Sequence, residues 1–291
     1  MAVTEAFQVV RGDNPFAGRR SFGISLWRTE LGWLEPAALG RRPDLLPSAA
    51  WLIGLGNLGQ AFLWSIGMLP YRDPSRLTLT LQDFDRIAPS NESTSLLTAS
   101  TMRGQPKTRA MAAWADTRGF GTRIVERRFA ADFRAGDNDP AVALCGVDNG
   151  LARTQLEEVG FARVIEAGLG GGPDDFLAIR LHTFPGLSKA RTLWRANATD
   201  VSRLLDRPAY RALEAGGADR CGVVSLAGRT VGAPFVGALA GALGIAELVK
   251  LTCGGPSTAV LDLHLRSPRF LSASPQGDEF ACSVGSVVAY E

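Results

Sequence analysis

Glycine, acidic and lysine residues recur in this 291-residue chain at spacings suited to holding a phosphorylated ligand. The sequence GLGNLG at residues 54–59 supplies Gly54, Gly56, Asn57 and Gly59. Glycines at this spacing let backbone N–H groups approach a phosphate closely at the start of a helix. Asp83 then stands where a carboxylate accepts hydrogen bonds from ribose hydroxyls. The pattern therefore predicts a nucleotide-binding site and leaves open which nucleotide it takes.

Further polar residues extend this candidate site along the chain. They are Asp85, the Ser90-Asn91 pair, Lys107, Asp148 and Asn149. Ser and Asn suit a turn or a helix cap near phosphates. Lys107 stands just before a helix-like stretch, and Asp148 follows a short apolar run. A carboxylate at the C-terminal end of such a strand lies where ligands bind in open α/β sheets, so we expect Asp148 to face the ligand.

Alternating strands and helices are expected to position these residues. Apolar or period-two runs predict strands, whereas Ala- and Met-rich stretches predict helices. The predicted strands cover residues 49–53, 77–81, 122–129, 141–145 and 163–167, and the predicted helices cover 60–68, 107–117 and 150–159. Two later runs, 176–181 and 259–263, are predicted as antiparallel strands. We therefore expect an α/β fold with a Rossmann-like, mostly parallel sheet, flanking helices and a smaller antiparallel C-terminal extension of the sheet.

Two regions lie outside this regular alternation. Residues 1–47 mix Gly, Pro and Arg, and we expect an N-terminal extension or subdomain ahead of one nucleotide-binding domain over 48–291. Residues 231–251 are apolar and rich in small residues. A bilayer span needs about 20 nearly uncharged residues. Because Pro234 weakens the start of this stretch and Glu247 and Lys250 fall in its last turns, we expect a core helix and no membrane span.

Composition narrows the functional classes. The formal net charge is +2 without a dense Lys or Arg run, which does not indicate nucleic acid as a partner. The four cysteines include no CxxC pair, which argues against structural zinc and against a disulfide scaffold. No signal peptide is apparent at the start. We therefore expect a reducing, cytoplasmic location.

The order of these motifs resembles the ThiF/MoeB family, which includes the nucleotide domain of ubiquitin-activating enzymes. Family members show GxGGLG, then a DxD…SN segment, then G-x-x-K at a helix start, then Asp-Asn before a helix. Matching motifs cover roughly residues 48–170 here. A second match begins at Cys221 and continues through Gly232, Pro234, Gly237 and residues 246–251, similar to the family's cysteine-then-helix ending.

This resemblance implies ATP-dependent adenylation with magnesium. The substrate would be the C-terminal carboxylate of a ubiquitin-like or sulfur-carrier protein, or of a peptide, and relatives are commonly homodimers. The implied nucleotide-binding set is Gly54, Gly56, Asn57, Gly59, Asp83, Asp85, Asn91, Lys107, Asp148 and Asn149. By the same resemblance, Lys107 neutralises charge on the phosphates and Asp148 holds Mg²⁺, a hard cation that takes oxygen ligands. Cys221 would accept the activated acyl group as a thioester, helped by the neighbouring Arg220.

The chain departs from the family pattern at two positions. Thr94 stands where a phosphate-binding arginine is expected, and Asn57 replaces the second glycine of the GGLG segment. Arg19, Arg20 and Arg103 are candidates to supply the missing cation. The zinc-binding CxxC pairs of many relatives are also absent.

Two alternatives to adenylation remain at this point. An NAD-dependent oxidoreductase would use the same glycine loop and Asp83. Against this alternative, the separation between Gly54 and Asp83 along the chain exceeds the roughly 20 residues between loop and acid in the dinucleotide pattern. A catalytically inactive nucleotide-binding scaffold of the same fold would explain Thr94. Pyrophosphate exchange distinguishes adenylation from both.

Overall fold

The computed structural model describes residues 1–170, 172, 175–196, 208–216, 232–277, 282 and 284–290, and its centre is an eight-stranded sheet. The strands are β1 (Leu45–Pro47), β2 (Ala49–Ile53), β3 (Thr78–Gln82), β4 (Gly121–Val125), β5 (Val142–Cys145), β6 (Arg163–Leu169), β7 (Ala178–Phe184), β8 (Thr258–His264), β9 (Ser272–Pro275) and β10 (Ser286–Val288). Strand order in the large sheet is β4-β3-β2-β5-β6-β7-β8-β9, and β1 pairs separately with β10.

Strand direction divides the large sheet into two parts. The pairs formed among β4, β3, β2, β5 and β6 are parallel. From β6 onward, through β7, β8 and β9, the pairs are antiparallel. The prediction of a mostly parallel sheet with an antiparallel C-terminal extension is confirmed.

Helices flank the sheet and follow most predicted segments. They are α1 (Ala2–Arg11), α2 (Asn57–Ile66), α3 (Asn91–Thr94), α4 (Lys107–Asp116), α5 (Gly150–Arg153), α6 (Ala190–Ala196), α7 (Pro208–Ala215) and α8 (Pro234–Cys253). Short 3₁₀ turns lie at Pro36–Ala38, Pro74–Arg76, Ser100–Met102 and Pro268–Phe270.

Two predicted elements are longer than the observed ones. The helix expected over 150–159 ends at Arg153, because the N–H groups of Gln155, Leu156 and Glu158 bond three residues back rather than four. The strand expected over 122–129 ends at Val125. Val125 is paired with Gln82, the last residue of β3, so beyond this point the chain has no strand to pair with on that side.

Helix α8 supplies much of the core, in agreement with the core helix expected over 231–251. By length and composition it could cross a membrane, but 61% of its apolar window is buried within the protein. It packs against α2 and β6. A Cβ on Gly241 would lie 2.7 Å from the carbonyl of Ala61, so this glycine permits the close approach of the two helices.

The ends of three parallel strands bring the predicted site together. In register, Ile53 is paired with Gln82 on one side and with Cys145 on the other. The N–H of Gly54 donates to the Gln82 carbonyl at 2.8 Å, and the N–H of Gly146 donates to the Ile53 carbonyl at 2.9 Å. The loops that leave β2, β3 and β5 therefore begin side by side at one edge of the sheet, where ligands bind in open α/β folds.

Candidate functional site

The glycine loop between β2 and α2 has a backbone conformation and close contacts that leave no room for a Cβ at Gly54 and Gly59. Gly54 has a φ of 82°, and a Cβ there would lie 2.9 Å from the Val147 side chain. A Cβ on Gly59 would lie 1.8 Å from the carbonyl oxygen of Gly54. Gly56 differs, since a Cβ there would meet nothing within 4 Å. The loop is closed toward the sheet and open at Gly56.

The open side of the loop coincides with the start of α2. Gly56 is the N-cap residue and provides no side-chain hydrogen bond to the first turn. The first N–H groups of an α-helix have no partner within the helix. These free N–H groups and the helix dipole together favour the binding of an anion such as a phosphate.

Asp83 ties this loop to the end of β3. Its Oδ2 accepts the Leu55 N–H at 2.7 Å, and its Oδ1 accepts the Asp85 N–H at 2.8 Å. The residue is 8% exposed. Each carboxylate oxygen has a further lone pair for another donor. Asp83 therefore shapes the loop and keeps hydrogen-bonding capacity toward a ligand.

Lys107, at the first position of α4, faces two carboxylates. Its Nζ lies 3.0 Å from Asp85 Oδ2 and 4.0 Å from Asp83 Oδ2. Its backbone N–H donates to the Asp85 carbonyl at 3.0 Å. A cation at a helix N-terminus is disfavoured by the helix dipole, and the two carboxylates offset this. The Lys107 side chain is 10% exposed, whereas that of Asp85 is 48% exposed, so the pair opens to solvent on the aspartate side.

The loop after β5 presents one carboxylate that has no partner among the described residues. Asn149 caps α5, because its Oδ1 accepts the N–H groups of Leu151 and Ala152 at 2.9 and 3.2 Å. Asp148 is exposed and makes no hydrogen bond or ion pair with the described residues. Within the described ranges, no group of three or more His, Cys, Asp or Glu residues converges to hold a metal. Asp148 is therefore a single candidate metal ligand, without a preformed ligand cluster among the described residues.

Helix α3 carries Asn91 and the unusual Thr94. Asn91 Oδ1 accepts the Ala88 N–H at 2.8 Å, and the Thr94 hydroxyl donates to the Ser90 carbonyl at 2.9 Å. Glu92 on the same helix forms an ion pair with Arg103. The hydrogen bond from the Arg103 guanidinium lowers the pKa of the Glu92 carboxyl.

Arg103 is thus the predicted arginine that lies against α3. Arg20 is engaged elsewhere, since its guanidinium pairs with Glu5 at 2.7 Å and donates to the carbonyls of Leu265 and Arg266. Arg19 is exposed. Of the three arginines, Arg103 alone is paired with the segment that carries Thr94.

The two departures from the family pattern contact the same place, the start of α8. A Cβ on Gly232 would lie 3.0 Å from Thr94 Cβ and 3.2 Å from Asn57 Nδ2. A Cβ on Gly237 would lie 2.0 Å from Asn57 Oδ1. Asn57 is therefore accommodated in the glycine loop because glycines stand at 232, just before α8, and at 237, in its first turn. Its Oδ1 is buried and has no hydrogen-bond partner among the residues that the structure describes.

Two of the cysteines, Cys221 and Cys145, bear differently on the thioester chemistry that the resemblance implies. Cys221, with its neighbour Arg220, lies outside the described residues. Cys145 is buried, and its burial raises the pKa of its thiol to about 12, so it stays protonated.

Arg153, Glu166 and His182 form a buried polar cluster that the sequence analysis did not identify as part of the site. The available signal was Glu166 among the apolar residues that follow Arg163 in β6, since a buried carboxylate is usually paired.

A family model described as the BilD C-terminal domain matches residues 46–255. The chain belongs to this family. A protein of Collimonas sp. (strain OK412) described as "Bacterial E1-like protein BilD" is 48% identical over 252 residues, which are 86% of this chain. Those residues are 55% of that relative, so the chain spans about half of its length.

Solved structures share the fold at low sequence identity. Escherichia coli MccB with succinimide has a TM-score of 0.52 and 12% identity, over 82% of this chain and 66% of that one. MccB with AMPCPP and MccA has a TM-score of 0.51 and 12% identity, over 81% of this chain and 66% of that one. These likenesses concern the fold. The description of the BilD relative as E1-like agrees with the family that the motif order over residues 48–170 resembles.

Proposed function

We propose that the chain is an ATP-dependent adenylating enzyme of the ThiF/MoeB type. Its substrate would be the C-terminal carboxylate of a peptide or of a small ubiquitin-like or sulfur-carrier protein. The observation that carries the proposal is the open face of the glycine loop at Gly56, together with Asp148 in the loop after the neighbouring strand β5, where it has no partner among the described residues. The E1-like description of the BilD relative and the MccB structure with AMPCPP and MccA support it.

The proposed step is nucleotidyl transfer. A carboxylate oxygen of the substrate bonds to the α-phosphorus of ATP, the bond to the bridging oxygen of the β-phosphate breaks, and pyrophosphate leaves with the electron pair. The protein forms no covalent bond in this step, so positioning and charge stabilisation carry the catalysis. Gly54, Gly56 and Gly59 shape the phosphate cradle, and the first N–H groups of α2 donate to the phosphates.

Three charged residues have separate roles in this proposal. Asp83 accepts from the ribose hydroxyls while it holds Leu55 and Asp85. Lys107, now 3.0 Å from Asp85 Oδ2, neutralises charge on the leaving pyrophosphate when the nucleotide is bound. Before the nucleotide binds, the ion pair with Asp85 keeps the ammonium group of Lys107 at the site.

Asp148 fits a Mg²⁺ ion that arrives with the nucleotide. Mg²⁺ is commonly bound by one or two carboxylates together with substrate phosphates and water. A single exposed carboxylate beside the phosphate cradle matches that ligand set. The bound ion would supply positive charge on the phosphate oxygens, and Asp148 would fix where that charge lies.

In the second proposed step the Cys221 thiolate attacks the carbonyl carbon of the acyl adenylate, the bond from that carbon to the phosphate oxygen breaks, and AMP leaves with the electron pair as the thioester forms. The position of Cys221 in the family-like motif supports this role. A homodimer is proposed because members of the family that the motifs resemble are commonly homodimers. Cys221→Ser is expected to trap an oxyester or to abolish transfer while adenylation continues. Loss of adenylation in this variant would assign Cys221 a structural role.

Binding and exchange assays test the adenylation step. ATP with Mg²⁺ is expected to bind, as measured by calorimetry, and labelled pyrophosphate is expected to exchange into ATP in the presence of a substrate with a free C-terminus. Lys107→Met is expected to lower the exchange rate roughly 100-fold, since one stabilising donor is lost. Lys189→Met, at an exposed lysine, is the matched control and should leave the rate unchanged. NADH binding without ATP binding would support the oxidoreductase, and ATP binding without exchange would support the scaffold.

A further inference from the structure

Arg153 connects the loop that carries Asp148 to the buried centre of the sheet. Its Nε donates to the carbonyl oxygen of Val147 at 2.7 Å. Its Nη1 lies 3.2 Å from Glu166 Oε1, and its guanidinium carbon lies 4.3 Å from the centre of the Trp194 ring. The Arg153 side chain is 9% exposed. One planar group therefore touches a backbone carbonyl, a carboxylate and an aromatic face at the same time.

Glu166 is itself held in place. Its side chain is fully buried, and its Oε2 lies 2.9 Å from Nδ1 of His182. The two residues are directly paired across the antiparallel strands β6 and β7. A buried carboxylate is costly without charged or hydrogen-bonding partners. Arg153 and His182 are those partners, so the position of Glu166 in the sheet determines where the guanidinium lies.

The position of Asp148 depends on its backbone, because its side chain makes no hydrogen bond with the described residues. The residue before it is held by the Arg153 side chain through the Val147 carbonyl. The residue after it, Asn149, caps α5 and accepts the Arg153 backbone N–H at 3.1 Å. Arg153 therefore contacts the chain on both sides of Asp148.

We propose that Arg153 is a positioning residue that, anchored by Glu166 and His182, fixes the backbone around Asp148 and so sets the affinity of the site for the metal ion bound with the nucleotide. The metal-binding part rests on the proposed function. The planar guanidinium is essential to the arrangement, because a lysine ammonium cannot reach a carbonyl, pair with a carboxylate and stack on a ring together. Arg153→Lys therefore keeps the charge near Glu166 and loses the contact with Val147.

The first measurement is hydrogen–deuterium exchange of the peptide that contains residues 147–152, without nucleotide. Faster exchange is expected in Arg153→Lys than in the wild type. The matched control is Arg180→Lys, which changes an exposed arginine on β7 that pairs with Asp262. This control should leave exchange at 147–152 unchanged. Unchanged exchange in Arg153→Lys would overturn the positioning role, whether or not the protein adenylates anything.

The second measurement is ATP binding by calorimetry as a function of Mg²⁺ concentration. In Arg153→Lys the Mg²⁺ concentration for half-maximal binding is expected to rise roughly 10-fold or more, as for other residues that support a metal ligand. ATP binding without Mg²⁺ should be unaffected. A normal Mg²⁺ dependence with faster exchange would overturn the link to the metal. Wild-type protein that binds ATP equally with and without Mg²⁺ would count against the proposed function instead.

A second variant keeps the proposal testable if Arg153→Lys does not fold. Glu166→Gln preserves the shape of the side chain and a hydrogen bond to His182, and it removes the charge that anchors Arg153. The same faster exchange at 147–152 and the same shift in Mg²⁺ dependence are expected. Thermal unfolding of each variant separates these local effects from a general loss of stability, and effects that follow only the loss of stability would overturn the proposal.

Discussion

Replacing Gly59 by alanine tests the geometry on which the candidate site depends. The new Cβ would lie 1.8 Å from the Gly54 carbonyl oxygen and 2.7 Å from its carbonyl carbon. Both are backbone atoms, so the loop or α2 must move by about 1 Å or more to relieve the overlap. Overpacking of this kind costs about 1–3 kcal/mol or more, whereas Ala in a helix regains about 1 kcal/mol over Gly. Because the overlap is with backbone atoms at 1.8 Å, we take the upper end of this cost and expect a net loss of about 2 kcal/mol, which lowers the Tm of a 291-residue chain by roughly 3 °C.

Gly56→Ala is the matched control in the same loop. A Cβ at Gly56 meets nothing within 4 Å, so the Tm should stay within about 1 °C of the wild type. The added methyl group instead occupies the open face on which the phosphates are proposed to lie, so ATP affinity should fall. Thermal unfolding and calorimetry measure the two effects. A wild-type Tm for Gly59→Ala would refute the loop geometry, and wild-type ATP affinity for Gly56→Ala would refute the placement of the phosphates.

Three further experiments test the packing of the structure. Lys250→Met leaves the buried Glu247 carboxylate without its charged partner at 2.5 Å and should cost about 3–5 kcal/mol in chemical denaturation. Arg109→Met, in an exposed pair, should leave the midpoint unchanged, and equal losses would contradict this reasoning. Gly237→Ala should destabilise the protein because its Cβ would lie 2.0 Å from Asn57 Oδ1. Asn57→Gly in the same chain should restore the Tm, and additive losses would show that the two do not interact. Cys145, whose thiol pKa is raised to about 12, should resist maleimide in the folded protein at about pH 8 and react only after unfolding, as followed by mass spectrometry; rapid labelling of folded protein would contradict its burial.

The sequence was sufficient for the sheet and for the glycine loop because both follow from local patterns. Apolar runs such as Ala49–Ile53 and Val142–Cys145 mark buried strands wherever they occur in an α/β chain. Their alternation with helices implies parallel pairing, and parallel strands place their C-terminal ends at one edge. The proximity of Gly54, Asp83 and Asp148 could therefore be expected without coordinates.

Element ends were less predictable because they depend on partners distant in sequence. Strand β4 ends at Val125 since β3 ends at Gln82. The polar cluster of Arg153, Glu166 and His182 joins three elements across the β6–β7 pair. Nothing in the local pattern around Arg153 indicates whether its side chain reaches a nucleotide or the interior.

The sequence by itself determined the fold class, the glycine loop and the order of the acidic and basic residues around it, because backbone requirements and hydrophobic periodicity are encoded locally. Only the tertiary structure decided how the unusual residues are accommodated. Asn57 and Thr94 lie 37 residues apart in the chain and both pack against the start of α8. Arg103 reaches α3 through Glu92. Such contacts between distant segments depend on how helices pack on the sheet, which no local pattern specifies.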